Sequence, residues 1–388
     1  MAASSVPERA EPRGDAAQSV VRACAILRAF HSCDEVLALG EVVARTGLHK
    51  TTAFRLLQSL VQGGLVQRSG KGAYRCLASL DTSRSFRIGF AGQTDSEFSR
   101  EVAGGLQRVA AMNRQIHLIS VNNRYSEREA LRNADLLVRE RVDLVFEFQT
   151  YQRVAPLVAA RFLEANIPVI AIEVPHPGAT FYGANNYQAG QIAGRALGRW
   201  VREAWPAGPE QILLLELPIA GPLPALRITG ALDGARLELP GITGLPVARL
   251  DGRGGPEQVF GVVRRYLRRA PPRRTLTIVM NDVGALAALR AFEEADRGHL
   301  CAVVGQNGTR EAREELRRPH SRLIGSVAYF PERYGEDLIP LALALLRRQP
   351  TPPAVFVRHR LLTPANVDLI YPLDAAAGAS AAGARRPR

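Results

Sequence analysis

The chain has 388 residues and carries 50 lysine and arginine side chains against 37 aspartate and glutamate, a net charge of +13. At roughly 100–200 residues per domain, this length predicts two or three domains, and a hydrophobic fraction of 46% excludes wholesale disorder. No run of about 18 apolar residues is present, which excludes a membrane-spanning helix. The four cysteines are scattered without a C-x-x-C pair, and the first residues lack an apolar export signal. We therefore expect a reduced, cytoplasmic protein.

Residues 1–17 show no hydrophobic period and are predicted to form a flexible leader. The next segment, residues 18–77, reads as a helix, a helix-turn-helix and a β-hairpin. The first helix carries an apolar stripe, and the third, over residues 49–62, has a predicted inward face of Ala53, Leu56, Leu57 and Leu60. Two short strands around the Ser69-Gly70-Lys71-Gly72 turn complete the predicted winged helix-turn-helix. The predicted stripe of the first helix consists of Val20, Cys24, Leu27 and Phe30.

Basic and hydroxyl side chains gather at the start of the third predicted helix. An arginine can bind guanine edges in the major groove, whereas threonine and lysine suit phosphate oxygens. The lysine in the wing turn can reach an adjacent phosphate. A solvated surface helix without a ligand is the alternative, but the turn and the wing together favour DNA. The predicted DNA contacts are His49, Lys50, Thr51, Thr52, Arg55 and Lys71.

From Phe86 onward, apolar strand-like segments alternate with helical ones. Near-continuous apolar strands between helices predict parallel sheets covered on both faces. Because this part is too long for one sheet, we expect two lobes, the first at about 86–185 and 330–360, the second at about 186–329 and 361–372. Residues 78–85 are a predicted linker and residues 373–388 a disordered tail. The predicted class is α/β, with a helical N-terminal domain and a hairpin wing.

Motifs of enzyme chemistry are absent from the sequence. The only Gly-Lys pair, Gly70-Lys71, lacks the earlier glycine of a P-loop, and Gly89 and Gly92 do not form the dinucleotide motif. Ser326 lacks the glycines of a nucleophile elbow, and the seven histidines show no metal-binding spacing. We therefore predict a protein that is not an enzyme and that uses no cofactor or metal.

Residues 18–76 resemble the N-terminal domain of IclR-type transcriptional regulators. The matching segment runs from Leu39-Gly-Glu-Val-Val-Ala-Arg-Thr-Gly-Leu-His-Lys through Thr-Thr-Ala-Phe-Arg-Leu-Leu-Gln-Ser-Leu, followed by Gly64-Leu-Val-Gln-Arg. His49 stands where that family commonly has proline. The IclR effector domain does not follow in this sequence.

Residues 86–372 instead resemble the periplasmic-binding-protein-like domain of LacI-type repressors and ribose-binding proteins. The segments that carry this resemblance are Arg87-Ile-Gly-Phe-Ala, Ala165-Asn-Ile-Pro-Val-Ile-Ala-Ile-Glu, Val279-Met-Asn-Asp-Val-Gly, Val303-Val-Gly-Gln-Asn-Gly-Thr and Pro331-Glu-Arg-Tyr-Gly. The resemblance implies a ligand bound between two lobes, at the carboxyl ends of their strands. It implies contacts from Asp95, Phe98, Glu173, Arg227, Asn281, Asn307 and Tyr329.

These observations predict a transcriptional regulator controlled by a small effector. A sugar is the expected effector, although Val174 and Asn307 replace charged residues common in sugar binders, so a modified sugar or another polar metabolite stays open. The alternative is a cytoplasmic sugar-binding sensor whose N-terminal domain docks protein rather than DNA. Since one winged domain covers a half-site, we expect a homodimer on double-stranded operator DNA.

Overall fold

The computed structural model describes residues 15–30, 35–70, 72–77, 85–94, 96–253 and 255–372, with side chains from residue 18. The chain divides into two compact units, Met1–Ser85 and Phe86–Arg388. The predicted tail and nearly all of the predicted leader and linker lie outside the described residues.

The N-terminal unit contains three helices and a small antiparallel sheet. The helices are α1 (Asp15–Arg28), α2 (Leu39–Thr46) and α3 (Lys50–Gln62), and the strands are β1 (Val36–Ala38), β2 (Val66–Arg68) and β3 (Ala73–Cys76), in the order β1-β3-β2. The helix-turn-helix and the hairpin are confirmed. The sequence pattern does not predict β1, because a three-residue strand is too short to show alternation.

The core of this unit confirms the predicted inward face of α3 and corrects that of α1. Val20 is 63% exposed and Cys24 is also exposed, whereas Ile26, Ala29 and Phe30 are buried. The predicted stripe is therefore wrong in its first half, because the residues of this segment that reach the core lie at the C-terminal end of α1 and just after it. The buried residues of α3 are Ala53, Leu56, Leu57 and Leu60.

The second unit contains two lobes, each built on a six-stranded sheet. The sheet of the first lobe has the order β14-β8-β7-β6-β4-β5 and is entirely parallel. Its strands are β4 (Phe86–Gly92), β5 (Ile116–Asn122), β6 (Leu144–Glu147), β7 (Val169–Ile172), β8 (Thr180–Gly183) and β14 (Ala354–Phe356). Its helices are α4 (Glu97–Ala111), α5 (Glu127–Arg139), α6 (Ala155–Glu164) and α12 (Tyr334–Leu346).

The sheet of the second lobe has the order β10-β9-β11-β12-β13-β15, with only its last strand antiparallel. Its strands are β9 (Gln211–Glu216), β10 (Val247–Asp251), β11 (Thr275–Val279), β12 (Cys301–Asn307), β13 (Leu323–Ala328) and β15 (Arg360–Leu362). Its helices are α7 (Asn186–Ala204), α8 (Pro222–Glu238), α9 (Pro256–Arg269), α10 (Asp282–Glu294), α11 (Arg310–Leu316) and α13 (Val367–Ile370). These two sheets and their helices confirm the predicted α/β class.

The chain passes between the two sheets three times within this unit. The first crossover, residues 184–185, connects β8 to α7. The second, residues 329–333, connects β13 to α12, and the third, residues 357–359, connects β14 to β15. The short strands β14 and β15 are the elements that create the third crossover.

Glycines allow α7 and α8 to pack closely within the second lobe. A Cβ atom on Gly194 would lie 1.9 Å from the backbone oxygen of Ala231, and one on Gly230 would lie 2.2 Å from that of Tyr187. Only residues without side chains permit this approach of the two backbones. No helix among the described residues is long and apolar enough to span a membrane.

Candidate functional site

The first candidate site is the exposed face at the start of α3. His49 precedes the helix in extended conformation, and its Nδ1 lies 2.9 Å from Thr51 Oγ1. His49, Lys50, Thr51 and Arg55 are exposed, and Thr52 is half-buried. No acidic residue lies in the first turn of α3, so the helix start presents positive charge and free backbone N–H groups. Lys71 lies outside the described residues.

Packing and hydrogen bonds hold this face in position. Gly47 ends α2 with φ +67°, and its N–H donates to Val43 O at 2.9 Å, which sets the turn between α2 and α3. On the far side, Gln58 of α3 accepts a hydrogen bond from Arg68 of β2 at 2.5 Å and donates to the Tyr74 hydroxyl at 3.2 Å. Gln58 therefore joins α3 to both strands of the hairpin.

The second candidate site is a cavity of about 540 Å³ between the two lobes of the second unit. Its walls come from the segments that follow the carboxyl ends of β4, β5, β6 and β7 in the first lobe and of β9, β10, β11 and β12 in the second. This position is the one favoured for ligands in open parallel sheets. The lining includes Thr94, Phe98, Phe148, Glu173, Met280 and Asn281.

Glu173 and Arg227 form a buried ion pair across the cavity wall. Their exposed fractions are 5% and 8%, and Arg227 Nη2 donates to Glu173 Oε2 at 2.8 Å. The Tyr334 hydroxyl donates to the other carboxylate oxygen at 2.6 Å. The Arg227 side chain also donates to Asn186 Oδ1 at 2.6 Å and to the Met280 carbonyl at 3.2 Å. Glu173 belongs to the first lobe and Arg227 to the second, so the pair joins the lobes.

The electrostatics of this pair follow from its burial. Burial disfavours the charged guanidinium, but the neighbouring Tyr329 and Glu173 outweigh it and keep the pKa of Arg227 above its ordinary value. Burial, together with Glu173, raises the pKa of Tyr334 well above its usual range, so its hydroxyl remains a donor. The deep wall therefore presents polar groups with no net charge.

Two asparagines from the second lobe line the cavity opposite Phe98. Asn281 is the N-cap of α10, where its Oδ1 accepts from Gly284 N at 2.9 Å, while its side-chain nitrogen has no partner among the described residues. Asn307 has φ +116°, and its buried Oδ1 accepts no hydrogen bond from the described residues. Both side chains thus have amide groups available to a ligand.

Aromatic rings form one wall of the cavity. Phe98 packs edge-on against Phe148 and Tyr334, with ring centroids 6.0 and 5.9 Å apart. Tyr125 and Thr150 extend this wall. Phe148, Tyr125 and Thr150 were not predicted, although Phe148 and Thr150 directly follow a buried strand, which was an available signal.

Two predicted ligand residues stand apart from the others. Asp95 lies outside the described residues. Tyr329 is buried and is not among the residues that line the cavity. Its hydroxyl donates to Gln306 Oε1 at 2.6 Å, and the Arg227 guanidinium lies 4.9 Å from its ring centroid. Tyr329 therefore supports Arg227 from behind the cavity wall.

Charged residues at the rim of the cavity come from both lobes. Glu97 of α4 pairs with Arg100 at 2.5 Å, and Glu311 of α11 and Arg253 complete the rim. Burial and the nearby Glu97 carboxylate raise the pKa of Glu311. Among the described residues, no group of three or more histidine, cysteine or acidic side chains could hold a metal ion.

Comparison with known families gives one match in each of the two units. Residues 19–70 match the IclR helix-turn-helix domain, and residues 88–350 match the periplasmic binding protein domain. No curated protein matches the chain at a significant level.

The second unit is similar to solved solute-binding proteins. One from Bacillus halodurans with bound myo-inositol is 17% identical, with a TM-score of 0.65, and the match covers 74% of this chain and 98% of that one. One from Actinobacillus succinogenes with bound D-allose is 18% identical, with a TM-score of 0.64 and coverage of 74% and 100%. A further similar structure, of a protein from Mycobacterium smegmatis in complex with β-D-fucofuranose, is 20% identical, with a TM-score of 0.65 and coverage of 76% and 97%.

At these identities the similarity to solved structures establishes the fold alone, whereas the family matches also establish the family. The periplasmic binding protein match spans more than half of the chain, and the helix-turn-helix match precedes it without overlap. Both resemblances inferred from the sequence are thereby confirmed. The chain belongs to the periplasmic binding protein domain family and carries an IclR-type helix-turn-helix domain at its N-terminal side.

Proposed function

We propose that this protein is a cytoplasmic, DNA-binding transcriptional regulator whose affinity for its operator is set by a sugar or sugar-like effector in the cavity between the lobes. The observation that carries this proposal is the presence in one chain of an IclR-type helix-turn-helix and a binding-protein cleft. Both are binding domains, so the proposed activity requires no chemical step.

The exposed start of α3 supports the DNA-binding half of the proposal. Lys50, Thr51 and Arg55 are exposed together on one surface with His49, and Thr52 lies beside them. Residues 1–85 hold 11 basic and 7 acidic side chains, a net charge of 11 − 7 = +4. We assign base contact to Arg55 and phosphate contact to Lys50, Thr51, Thr52 and the wing residue Lys71.

The cavity supports the effector half of the proposal. Its volume of about 540 Å³ lies within the usual range for small-molecule sites of ~300–1,000 Å³. The Phe98 ring offers an apolar face of the kind on which a sugar ring packs, and the amides of Asn281 and Asn307 offer hydrogen-bond partners for hydroxyl groups. We assign ligand contact to these residues, to the Glu173–Arg227 pair and to Asp95, with Tyr329 supporting Arg227. The solved relatives that hold myo-inositol, D-allose and β-D-fucofuranose make polyhydroxylated compounds the first to test.

Thermodynamic linkage connects the two halves. An effector changes DNA affinity only to the extent that it binds one conformation of the lobes better than another, and a coupling of ~1–3 kcal/mol changes that affinity ~5- to 150-fold. A homodimer, with one winged domain on each half-site of an inverted repeat, is the proposed assembly. Light scattering at micromolar concentration tests it, and a monomer that protects a single half-site contradicts it.

Selection of bound sequences from randomised DNA, using the full chain, tests the DNA-binding half. A variant with alanine at Lys50, Thr52 and Arg55 should no longer bind the selected sequence. A matched control, Arg265→Ala with Arg268→Ala, removes the same number of positive charges from the exposed surface of α9 and should still bind that sequence. If the first variant binds as well as the control, α3 does not contact DNA, and a protein-docking sensor becomes the better account.

Calorimetric titration with myo-inositol, D-allose and β-D-fucofuranose tests the effector half. Asn281→Ser keeps an oxygen that can cap α10 but removes the side-chain amide nitrogen, so it separates ligand contact from helix capping. We expect this variant to bind the sugar more weakly while its sugar-free DNA affinity is unchanged. Unaltered sugar binding would place the ligand away from Asn281.

A further inference from the structure

The three crossovers between the lobes contact one another. Two hydrogen bonds join the third crossover to the first crossover and to the last residue of β8. The Val357 N–H donates to Gly183 O at 2.9 Å, and the Asn185 N–H donates to His359 Nε2 at 3.0 Å. His359 is therefore a side chain of the third crossover that holds the backbone of the first.

Arg227 reaches the same place from the cavity. Its Nε donates to Asn186 Oδ1 at 2.6 Å, and Asn186 is the residue at which the first crossover enters α7. Its guanidinium lies 4.9 Å from the ring centroid of Tyr329, which begins the second crossover. The Tyr329 ring in turn packs edge-on against His359, with 5.0 Å between the ring centroids. The Arg227 side chain thus contacts the second crossover at Tyr329 and the end of the first crossover at Asn186, and it is linked to the third crossover through Tyr329.

The charge state of His359 suits this role. Burial, reinforced by the positive charge of Arg227, lowers the pKa of His359 to about 4. At neutral pH the imidazole is therefore uncharged, and its Nε2 can accept the Asn185 N–H, which a protonated ring could not do. The ring Nδ1 is buried without a partner among the described residues, so the Asn185 bond is what orients the side chain.

We propose that Arg227 and His359 form one junction through which occupancy of the cavity is transmitted to all three crossovers, with His359 as the positioning residue that ties the third crossover to the first. The planar guanidinium is a rigid fork, so a ligand that draws it toward the cavity moves its contacts to Asn186 and Tyr329 together. The biological role of this junction rests on the proposed function, but the coupling between the cavity wall and the third crossover can be measured without sugar or DNA.

The test perturbs the cavity side of the junction and measures the third crossover. Tyr334→Phe removes the hydroxyl that donates to Glu173, the partner of Arg227, and leaves the ring in place. Tyr266→Phe is the control, because it removes a half-buried tyrosine hydroxyl in α9 of the second lobe, whose partner is Gln211 at the start of β9, at 3.0 Å. Hydrogen–deuterium exchange of the full chain, followed by mass spectrometry, reports the amides of residues 184–186 and 357–359.

We expect Tyr334→Phe, and not Tyr266→Phe, to speed exchange at residues 357–359 by about 2- to 10-fold, the range for loss of one hydrogen bond's net stabilisation. The His359→Phe variant keeps an aromatic ring but lacks the nitrogen that accepts the Asn185 N–H. In this variant, adding Tyr334→Phe should cause no further change in exchange at residues 357–359. His359→Gln supplies a side-chain oxygen that can accept the Asn185 N–H and should restore the response.

Three results would overturn the proposal. The first is that Tyr334→Phe changes exchange only near its own position, and the second is that Tyr266→Phe produces the same change at residues 357–359. The third is that the response survives in the His359→Phe background, which would remove His359 from the connection. Should Tyr334→Phe fail to fold, Arg227→Lys keeps the charge, loses the fork and is judged by the same three criteria. Because the exchange experiment uses neither sugar nor DNA, a negative result in it does not contradict the proposed function. Likewise, a negative result in the DNA selection does not contradict the junction.

Discussion

Replacement of Arg227 by methionine should strongly destabilise the second unit. The variant removes three hydrogen bonds and leaves the Glu173 carboxylate buried with only the Tyr334 hydroxyl as a partner. Removal of one member of a buried ion pair costs about 3–5 kcal/mol, because the other charge stays in a poorly solvating site. Arg199→Met is the matched control. Its pair with Glu238 is exposed, with 57% of the arginine side chain accessible, and such pairs contribute ~0.2–1 kcal/mol.

Urea unfolding of the full chain measures both free energies of unfolding. The two tryptophans, Trp200 and Trp205, lie within and just after α7, so their fluorescence reports the second unit rather than the N-terminal one. We expect the Arg227 variant to lose several times more stability than the Arg199 variant. Adding Glu173→Gln should recover part of that loss, since the buried carboxylate is then gone.

Equal losses of stability in the two arginine variants, or no recovery when Glu173→Gln is added to Arg227→Met, would refute the assignment of this pair as a buried, mutually neutralising contact.

Three further predictions concern other parts of the chain. Burial raises the pKa of Glu147 from 4.5 to about 8, so this group lowers the free energy of unfolding as pH rises between those values, by up to ~1.4 kcal/mol per pH unit. Glu147→Gln should therefore reduce the pH dependence of stability measured by urea unfolding, and an unchanged pH dependence would contradict this prediction. Gly194→Ala should destabilise the protein by ~1–3 kcal/mol or more, because its Cβ would clash with the Ala231 backbone. Gly104→Ala, at a position of α4 with open space around it, should instead stabilise the protein by ~0.5–1 kcal/mol, and thermal unfolding of the two variants tests both expectations. Arg55→Ala should weaken operator binding by ~1–3 kcal/mol and relax base preference at one position, as read by anisotropy titration against single-base operator variants.

Local patterns in the sequence predict most of the secondary structure. The face of α3 follows from its 3.6-residue period, because Ala53, Leu56, Leu57 and Leu60 recur at helical spacing and all are buried. The long strands follow from continuous apolar segments. The stripe on α1 fails at Val20, since periodicity shows that a helix has an apolar side but not how far along the helix its neighbours extend.

Tertiary contacts decide the parts of the site that the sequence could not predict. Positions near strand ends can be selected from the sequence, and Phe98, Asn281 and Asn307 do line the cavity. That Glu173 contacts Arg227 is not visible in the sequence, because 54 residues separate them and the pairing depends on how two sheets face each other. The same holds for His359, which lies after a three-residue strand too short to show a pattern.

The central claim is that filling the cavity changes how tightly the chain holds DNA. The most direct measurement is a fluorescence anisotropy titration of the selected operator with the full chain, at zero and at saturating concentration of the sugar that calorimetry shows to bind. We predict an operator affinity that differs ~5- to 150-fold between the two conditions, with the difference reduced in Asn281→Ser at the same sugar concentration. An operator affinity that stays the same when the cavity is filled would contradict the claim.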